Sequence, residues 1–546
     1  MGRYPTESLF FGLPLRQFFF LYSDSDEGSE SKKPAFYSQH STNGMMENNN
    51  RVLLLHVQKS AVEEGIYLMW QPDRLSNQPL YQQIADDFER RISYGEFPPG
   101  TQLPSERKLA EQLGVNRSTV ILAYAELRAL GIIESRTGSG TRVSQYKWGV
   151  TPKHTPNWHR YVEGGTFLPN LPFLRRIREA LQQNSGLIDF ASGELGADLS
   201  PAKEIGALIA ENPYIEYLGY DNPQGFVPLR ETLVSYLSKY RDIQTTGSSI
   251  LITSGSQQSL YLITQCLLTP GDAVAIEDPS YCYSLPMFQS AGLRLFRLPV
   301  DRKGVHPDDV RALYKKHRIK MVFLNPNYQN PTGVVLDEKR RAELLDVASE
   351  LGLPIVEDDP FSLTAYDGNP PPPLKSIDSV GSVLYIGSFS KMAASGLRVG
   401  WMVAPHSVVE RLADARQQMD FGLSVVPQKV AAEFLGSAYF QPHLERLRMQ
   451  LLFKRDLLIE ALEKELPNLV SFAVPQGGLH LWCKIIPEVN DHKLLEEAIR
   501  RGVIFAPGSV YGSDSGYVRF TFARAKAEDI VTGIAKFAAA LRAVLD

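Results

Sequence analysis

The sequence predicts a multidomain chain in which a small helical unit with a β wing precedes a large α/β unit. The first indication is a helix, turn, helix pattern followed by two short strand segments within residues 69–147. The second is a series of short apolar runs separated by helix-length segments, which is typical of a mostly parallel sheet with crossover helices. The third is a later group of long helices and strands, which predicts a smaller C-terminal α/β lobe.

Length and composition support several folded cores. The chain has 546 residues, 43% of them hydrophobic, and is too long for a single core. Its net charge of −4 excludes a broadly basic surface, so any contact with DNA must come from a local element. Cys266, Cys282 and Cys483 lack the paired spacing of metal or disulfide sites, which fits a reducing compartment. The longest early apolar stretch is interrupted by Pro14 and Arg16, so we expect a cytoplasmic protein without a membrane span.

The first 68 residues have the composition of an irregular or disordered leader. They combine aromatic residues, an acidic serine-rich run and three consecutive asparagines, without sustained periodicity. Met69 is a candidate natural start, because the first recognisable domain opens directly after it. Peptides from residues 1–68 in the native cell would exclude this hypothesis.

Residues 69–147 carry the pattern of three helices and a hairpin. The segment LYQQIADDFERRISYG spaces its apolar residues four positions apart until Gly95 ends the helix. Ser105 is the expected N-cap of a second helix that ends at Gly114, and NRSTVILAYAELRALG forms a third that ends at Gly131. IIESRTGSGTRVS then alternates strand-forming residues around a glycine-rich tip, which predicts a two-stranded wing.

Residues 148–165 are expected to be a linker, and residues 166–546 the α/β unit. The predicted strands of its main sheet are the runs SILIT, AVAIE, IKMVFLN, LPIVED and SVLYIG. After about residue 410, long amphipathic helices and the strands LVSFAV, GLHLWCK and YVRFTFA predict the smaller lobe.

The third helix of the N-terminal unit has the features of a DNA-reading element. In a helix-turn-helix, the start of the second motif helix enters the major groove, where polar and basic side chains meet bases and phosphates. Arg117 is suited to a bidentate contact with guanine, and the glycine-rich wing tip lets the backbone approach DNA. The candidate DNA-binding residues are Arg107, Asn116, Arg117, Ser118, Thr119, Arg136 and Gly140. The alternative is a helical protein-interaction module with solvated arginines.

Residues 79–143 resemble the GntR-type winged helix along its whole length. This resemblance implies that a double-stranded DNA operator is a partner of the chain.

The α/β unit contains each group that pyridoxal phosphate chemistry needs. These groups are a Schiff-base lysine, a carboxylate for the pyridine nitrogen, an anion cradle for the phosphate and an aromatic ring to stack on the cofactor. In SFSKMAASGLRVGW, Lys391 is the candidate Schiff-base amine. The same segment offers the hydroxyls of Ser388 and Ser390, and Arg398 to pair with phosphate oxygens. A single lysine would otherwise be interpreted as a surface residue.

Four further segments supply the remaining groups. In TSGSQQSL, the turn at Gly255, Ser256 and Gln257 can present backbone N–H groups to an anion. Tyr281 is the candidate stacking ring, although a buried structural tyrosine would look the same. Asp358, rather than the adjacent Asp359, is the candidate partner of the ring nitrogen. Asn330 is the candidate partner of the cofactor's phenolic oxygen. Arg519 is the candidate partner of a substrate carboxylate, and the alternative is that Arg519 is a surface residue.

Residues 165–546 resemble the fold-type I aminotransferases of the aminoadipate and kynurenine group in motif order and spacing. The resemblance implies that Tyr220 reaches the phosphate of a neighbouring subunit, and therefore that the protein is a homodimer. It also implies that QGGLHLW and FAPGSVYG frame the substrate side. One departure is Phe361, because these enzymes usually carry a tyrosine three residues after the ring-nitrogen aspartate. Without that hydroxyl, efficient transamination is disfavoured. Tyr366 is a candidate to supply the missing hydroxyl.

The combined architecture resembles the MocR family of regulators over nearly everything after residue 69. The resemblance implies a transcription regulator whose aminotransferase-like domain senses an amino compound, or pyridoxal phosphate itself, through Lys391. The alternative is a working aminotransferase that transfers an amino group between an amino acid and a 2-oxo acid, with Lys391 as general base. A DNA-bound scaffold without cofactor is disfavoured, because the cofactor residues are present.

Overall fold

The structure, a computed structural model, describes residues 70–136, 140–144, 161–162, 164–211 and 219–546. The predicted leader, the Met69 start, the wing tip and most of the predicted linker therefore lie outside the described residues, as does the side chain of Arg136. None of the helices in the described ranges is long and apolar enough to cross a membrane.

Three helices and a β-hairpin form the N-terminal unit, as predicted. The elements are α1 (Leu80–Ser93), α2 (Glu106–Leu113), α3 (Arg117–Ala129), β1 (Ile133–Arg136) and β2 (Gly140–Val143). The Ser105 hydroxyl caps α2 by accepting a hydrogen bond from the backbone N–H of Lys108, and Gly114 ends the helix at φ 60°. Phe88 of α1 and Tyr124 of α3 meet edge to face with ring centroids 6.0 Å apart. The two longer helices thus share one buried core.

The strands of the second unit include every one that the apolar runs predicted. They are β3 (Ile188–Asp189), β4 (Ile250–Thr253), β5 (Ala273–Asp278), β6 (Arg294–Asp301), β7 (Gly304–Val305), β8 (Met321–Leu324), β9 (Ile355–Asp359), β10 (Val383–Ser388), β11 (Gly400–Val403), β12 (Val470–Phe472), β13 (His480–Ile485), β14 (Val503–Ile504), β15 (Ala506–Pro507) and β16 (Tyr517–Thr521).

The α-helices of this unit alternate with its strands. They are α4 (Pro172–Gln183), α5 (Ala202–Glu211), α6 (Val227–Arg241), α7 (Ser256–Cys266), α8 (Met287–Ser290), α9 (Pro307–His317), α10 (Glu338–Leu351), α11 (Leu374–Ile377), α12 (His406–Asp420), α13 (Val425–Gly436), α14 (Phe440–Glu465), α15 (Asp491–Arg500) and α16 (Ala527–Leu545).

Eight strands form the main sheet in the order β4-β11-β10-β9-β8-β5-β6-β7. The central ladders from β10 to β6 are parallel, whereas β11 runs antiparallel to both of its neighbours. Successive residues of β10 face opposite sides, with Leu384 and Ile386 in one core cluster and Tyr385 in another. Helices cover both faces, which explains why the strands are continuous apolar runs.

The smaller lobe is a separate four-stranded sheet in the order β12-β13-β16-β15. Its ladders are antiparallel. Phe520 of β16 packs edge to face against Phe537 of α16, with ring centroids 4.9 Å apart. Because alternate residues of a strand share a face, the residues of β16 that do not enter this core are available to a site on its other side.

Candidate cofactor site and DNA interface

The candidate cofactor residues of the main sheet follow the carboxyl ends of its strands. Asp358 lies at the end of β9 and Ser388 at the end of β10, while Gly255 follows β4 and Tyr281 follows β5. Parallel strands bring their carboxyl ends to one edge of a sheet, where open α/β folds bind ligands. Residues distant in sequence therefore meet at one site.

Asp358 carries a buried carboxylate with one oxygen left unpaired. Its Oδ2 accepts a hydrogen bond from the Tyr281 hydroxyl at 2.9 Å, while Oδ1 has no partner among the described residues. Burial raises the pKa of this carboxyl group from 3.8 to about 7. A cationic ring N–H would satisfy Oδ1 and favour the charged form. The neighbouring Asp359 points elsewhere, to Arg241 at 2.7 Å.

Asn325 holds the Asn330 turn against β9. Its amide donates to the Asp358 carbonyl at 2.7 Å and its Oδ1 accepts from the Asn330 backbone N–H at 2.7 Å. The Asn325 backbone N–H donates in turn to Glu277, a buried acid whose pKa burial raises to about 7. This network fixes Asn330 relative to Asp358. The motif around Asn330 predicted its cofactor contact but not this support from Asn325.

Lys391 lies in the same site with its amine on a backbone carbonyl. Nζ donates to the Gly193 carbonyl at 2.7 Å. Burial is the main cause that lowers the pKa of the ammonium from 10.5 to about 8. The positive charge of Arg519 lowers this pKa further, whereas the negative charges of Glu194 and Asp358 raise it. The neutral, nucleophilic amine is therefore a larger fraction of Lys391 near neutral pH than of a lysine at the ordinary pKa, although the ammonium still predominates.

The turn before α7 forms a cradle of backbone groups. Gly255 has φ 105°, and a Cβ there would lie 2.9 Å from Nη2 of Arg398, so this position requires glycine. Ser256 begins α7, whose N-terminal N–H groups favour an anion. Gln257 is exposed beside them. The cradle therefore has the chemistry of a phosphate site.

Arg398 flanks this cradle together with two buried hydroxyls. Its guanidinium donates to the Ser254 carbonyl at 2.7 Å and the Ser395 carbonyl at 3.2 Å. Ser388 and Ser390 are buried at the same strand end, where the Ser390 backbone N–H donates to the Ser388 hydroxyl at 3.2 Å. Arg398 is exposed and close to the cradle, so it can turn toward an anion without breaking a buried ion pair.

Arg519 projects from β16 into the site and is not a surface residue. It is 5% exposed. Nη1 donates to Oδ1 of Asn330 at 3.1 Å and Nη2 to the Ala191 carbonyl at 2.6 Å, while Nε is unpaired among the described residues. Its guanidinium carbon lies 4.9 Å from the Tyr511 ring centroid. Its two hydrogen-bond partners are an amide oxygen and a carbonyl, and no carboxylate within the described ranges forms an ion pair with it, so this buried cation is suited to an anionic ligand group.

Phe361 lies in apolar surroundings, and Tyr366 does not supply the hydroxyl that a tyrosine at position 361 would carry. The Phe361 ring is buried and meets the His480 ring in a T-shaped arrangement, with centroids 5.5 Å apart. The Tyr366 hydroxyl donates to the Gly478 carbonyl at 3.0 Å, so it is already engaged outside the cofactor residues. Tyr366 is therefore wrong as the substitute.

Two tyrosines expected at the cofactor differ in their surroundings. Tyr281 was predicted to stack on the ring, and here its hydroxyl is bonded to Asp358. Tyr220 is 78% exposed and contacts only the exposed ring of Phe421 among the described aromatic side chains, with centroids 5.7 Å apart. Such exposure is compatible with a role toward a second subunit.

Three further residues line the site, two of them outside every predicted segment and the third, His480, inside the QGGLHLW segment expected at the substrate side. Gly193 accepts the Lys391 hydrogen bond, and Glu194 next to it accepts from the Ser395 hydroxyl at 2.7 Å. His480 is buried near both Lys391 and Arg519. The short segment SGELG gives no signal for the first two, whereas the resemblance placed QGGLHLW at the substrate side without giving its histidine a role.

The candidate DNA-binding side chains lie on one exposed end of α2 and α3. Arg107, Asn116, Arg117 and Ser118 are exposed and Thr119 is half-buried. Arg117 is 65% exposed at its side chain and bonded to Glu106 at 3.1 Å. Exposed ion pairs are weak, so Arg117 can exchange Glu106 for a group on DNA at little cost in free energy.

The wing begins its second strand with the predicted glycine. Gly140 pairs with Arg136 in the hairpin ladder and has φ 78°. This φ lies in the region that glycine adopts without strain.

Two family descriptions match separate parts of the chain. Residues 80–143 match the bacterial regulatory proteins of the gntR family. Residues 185–537 match aminotransferase class I and II.

The similar proteins include transcription regulators and an aminotransferase. The chain is 40% identical over 464 residues to YdfD of Bacillus subtilis, an uncharacterized HTH-type transcriptional regulator, covering 84% of this chain and 96% of that protein. YisV of the same organism, also an uncharacterized HTH-type transcriptional regulator, is 37% identical, with coverage of 85% and 96%. The crystal structure of Pyrococcus horikoshii kynurenine aminotransferase matches with a TM-score of 0.64 and 33% identity, covering 68% of this chain and 95% of that one.

The fold and these matches imply pyridoxal phosphate as the cofactor, and the site residues fit it. The unpaired Asp358 Oδ1 suits the ring N–H, the Gly255 cradle suits the phosphate, and Lys391 has an amine of lowered pKa. The chain belongs to the aminotransferase class I and II family, and it carries the additional gntR-type helix-turn-helix domain that defines the MocR-type regulators its sequence resembles.

Proposed function

We propose that the protein is a cytoplasmic transcription regulator that binds an amino compound at Lys391 and thereby changes its affinity for a DNA operator. The observation that carries this proposal is that one chain combines an exposed recognition helix with a cofactor site whose Lys391 amine has a pKa of about 8. Residues 69–147 form the DNA-binding domain, 148–165 the linker and 166–546 the ligand-binding domain. The matched ranges lie inside these bounds.

Each site residue has a defined task in this proposal. Pyridoxal phosphate supplies an aldehyde carbon that condenses with primary amines. Asp358 would hold the ring nitrogen, Asn330 the phenolic oxygen, and the Gly255–Ser256 turn with Arg398 the phosphate. Lys391 supplies the resident amine that an incoming amino compound replaces, and Arg519 orients a ligand carboxylate by a two-pronged contact.

The ligand response requires two states of the protein with different ligand affinities. If the ligand favours one placement of the DNA-binding domains, it shifts the population toward that placement, and DNA must alter ligand affinity by the same factor. We infer a homodimer, because the aminotransferase resemblance assigns Tyr220 to the phosphate of a neighbouring subunit and its side chain is exposed. Two DNA-binding domains would then read two operator half-sites.

The substitution Lys391→Ala tests the sensor function. We expect loss of the visible absorbance of lysine-bound cofactor and loss of any ligand effect on DNA affinity. The measurement is an absorbance titration of the purified full chain with amino acids and 2-oxo acids, paired with DNA binding with and without each ligand. The matched control is Lys339→Ala, whose side chain is 84% exposed. An unchanged ligand response in Lys391→Ala would overturn the sensor mechanism.

A second candidate function is amino-group transfer between an amino acid and a 2-oxo acid. It is favoured by the joint presence of Lys391, Asp358, Asn330 and Arg519, and Phe361 weighs against it. The same titration, followed by an assay for the 2-oxo acid product, separates the two functions. Spectral change without product supports sensing, and sustained product formation supports the enzyme.

Arg117 is expected to set base preference. Arg117→Ala should lower affinity for a duplex selected by the wild-type protein from a random library by about 10- to 100-fold, since a good bidentate contact contributes roughly 1–3 kcal/mol of discrimination. It should also relax preference at one base pair per half-site. Arg128→Ala is the control, because Arg128 of the same helix donates to Ser135 of the wing at 3.1 Å. Equal base preference in wild type and Arg117→Ala would show that Arg117 contacts only phosphate.

A further inference from the structure

Three buried polar atoms near Lys391 have no hydrogen-bond partner within the described ranges. They are Oδ1 of Asp358, Nε of Arg519 and Nε2 of His480. The first two already have tasks in the proposed function. His480 has none, although its side chain is buried and only 3% of the residue is exposed. Buried polar nitrogens are normally paired, so an unpaired one inside a binding site indicates a ligand group.

Strand register brings His480 and Arg519 to one face of the smaller sheet. His480 of β13 pairs with Thr521 of β16, and Trp482 pairs with Arg519. Residues two apart on a strand share a face, so all four side chains lie on the same side. A Cβ built on Gly193 would lie 3.5 Å from Nη1 of Arg519 and 3.6 Å from Cε1 of His480. Both side chains therefore border Gly193, whose carbonyl accepts from Lys391.

The hydrogen bond to Thr521 assigns the proton on the His480 ring. Nδ1 lies 3.1 Å from Oγ1 of Thr521, and either atom can be the donor. The Thr521 hydroxyl has no other acceptor within the described ranges, so it is satisfied only if it donates to Nδ1. Burial and the nearby charges of Arg519 and Lys391 hold the pKa of His480 well below its ordinary value. The ring is therefore neutral, with its proton on Nε2.

We propose that His480 is a specificity-determining residue that donates a hydrogen bond from Nε2 to a carboxylate oxygen of an amino-acid ligand. The acceptor is an anionic oxygen because Cε1 of His480, which is bonded to Nε2, and the guanidinium of Arg519 border the same position at Gly193. The edge contact with Phe361 holds the ring in this orientation. This inference rests on the proposed function, because it requires an amino compound at Lys391.

Two neutral substitutions distinguish a donor at Nε2 from a merely structural ring. In His480→Asn, the short amide remains near Thr521 and the distal donor is lost. In His480→Gln, the longer side chain carries an amide N–H toward the position of Nε2. We expect His480→Asn to weaken binding of amino acids by about 10-fold or more, and His480→Gln to restore most of that loss, since hydrogen bonds to charged groups are the stronger ones.

The probes are pairs of ligands that differ by one carboxylate, L-phenylalanine with phenethylamine and L-lysine with cadaverine. Binding to the full chain loaded with pyridoxal phosphate is followed by the cofactor's visible absorbance and by calorimetry, with melting temperature as a check on folding. The expected result is a loss in His480→Asn for the amino acids only. Equal losses for amino acids and amines, or no loss for either, would overturn the role of His480. If no amino compound binds the wild-type protein, the proposed sensor function fails as well, and the two failures are thereby distinguished.

Discussion

In the cofactor-free protein, Asp358→Asn is expected to flatten the pH dependence of folding stability. The folded pKa of Asp358 is about 7 against an ordinary value of 3.8, because the carboxylate is buried. The folded state therefore binds a proton that the unfolded state releases between these two pH values, so stability is lost as pH rises from about 4 to about 7. The lost stability corresponds to roughly 4 kcal/mol for this single group.

The measurement is the urea unfolding free energy of wild type and Asp358→Asn across the window from about pH 4 to about pH 8. The difference between the two proteins removes the contribution of Glu357 and most of that of Glu277, whose pKa values burial also raises to about 7, and retains the effect of the Asp358 charge on Glu277. Added pyridoxal phosphate should stabilise wild type more than the variant at pH 8, because only the carboxylate can pair with a cationic ring nitrogen. Parallel pH profiles of the two proteins would contradict the buried, unpaired state of Oδ1.

The parts of the fold predicted from sequence are those with local signals. The strands of the main sheet are continuous apolar runs because helices cover both of its faces, and the Ser105 cap and the Gly114 end mark α2 without tertiary information. β11 was not predicted, because its four residues follow a turn and carry no alternation that sets them apart. Its antiparallel direction depends on pairing with β4 and β10, which is a long-range property.

The site divides in a similar way between residues with a motif and residues without one. Lys391, Asp358 and Arg519 were proposed from recognisable segments, and the structure gathers all three. His480 and Gly193 join them only because β13 pairs with β16 and the segment after β3 folds over Lys391. Gly193 has no local pattern, and QGGLHLW indicated the substrate side but not the contact of its histidine. The engagement of the Tyr366 hydroxyl by Gly478 likewise follows from the packing of a distant loop.

Arg241→Leu is expected to cause the largest loss of stability in the ligand-binding domain. Arg241 and Asp359 form an ion pair at 2.7 Å in which the side chains are 2% and 0% exposed. The Asp359 carboxylate also accepts from the hydroxyls of Tyr385 and Ser362. Removing the cation leaves a buried charge with only neutral donors, which costs about 3–5 kcal/mol in comparable pairs.

The double substitution Arg241→Leu with Asp359→Asn should recover much of this loss, since no uncompensated charge remains. Arg176→Ala is the control: it removes a bidentate pair with Glu496 in which each side chain is about one-third exposed, and should cost about 1 kcal/mol or less. Unfolding free energies of the four proteins test this order, and similar losses in Arg241→Leu and Arg176→Ala would contradict it.

Arg241→Leu should also weaken cofactor binding. The negative charge of Asp359 raises the pKa of Asp358, and without Arg241 this charge would act on Asp358 uncompensated. The Arg241–Asp359 ion pair would then preserve both the fold and the charged form of Asp358 that the cofactor's ring nitrogen requires.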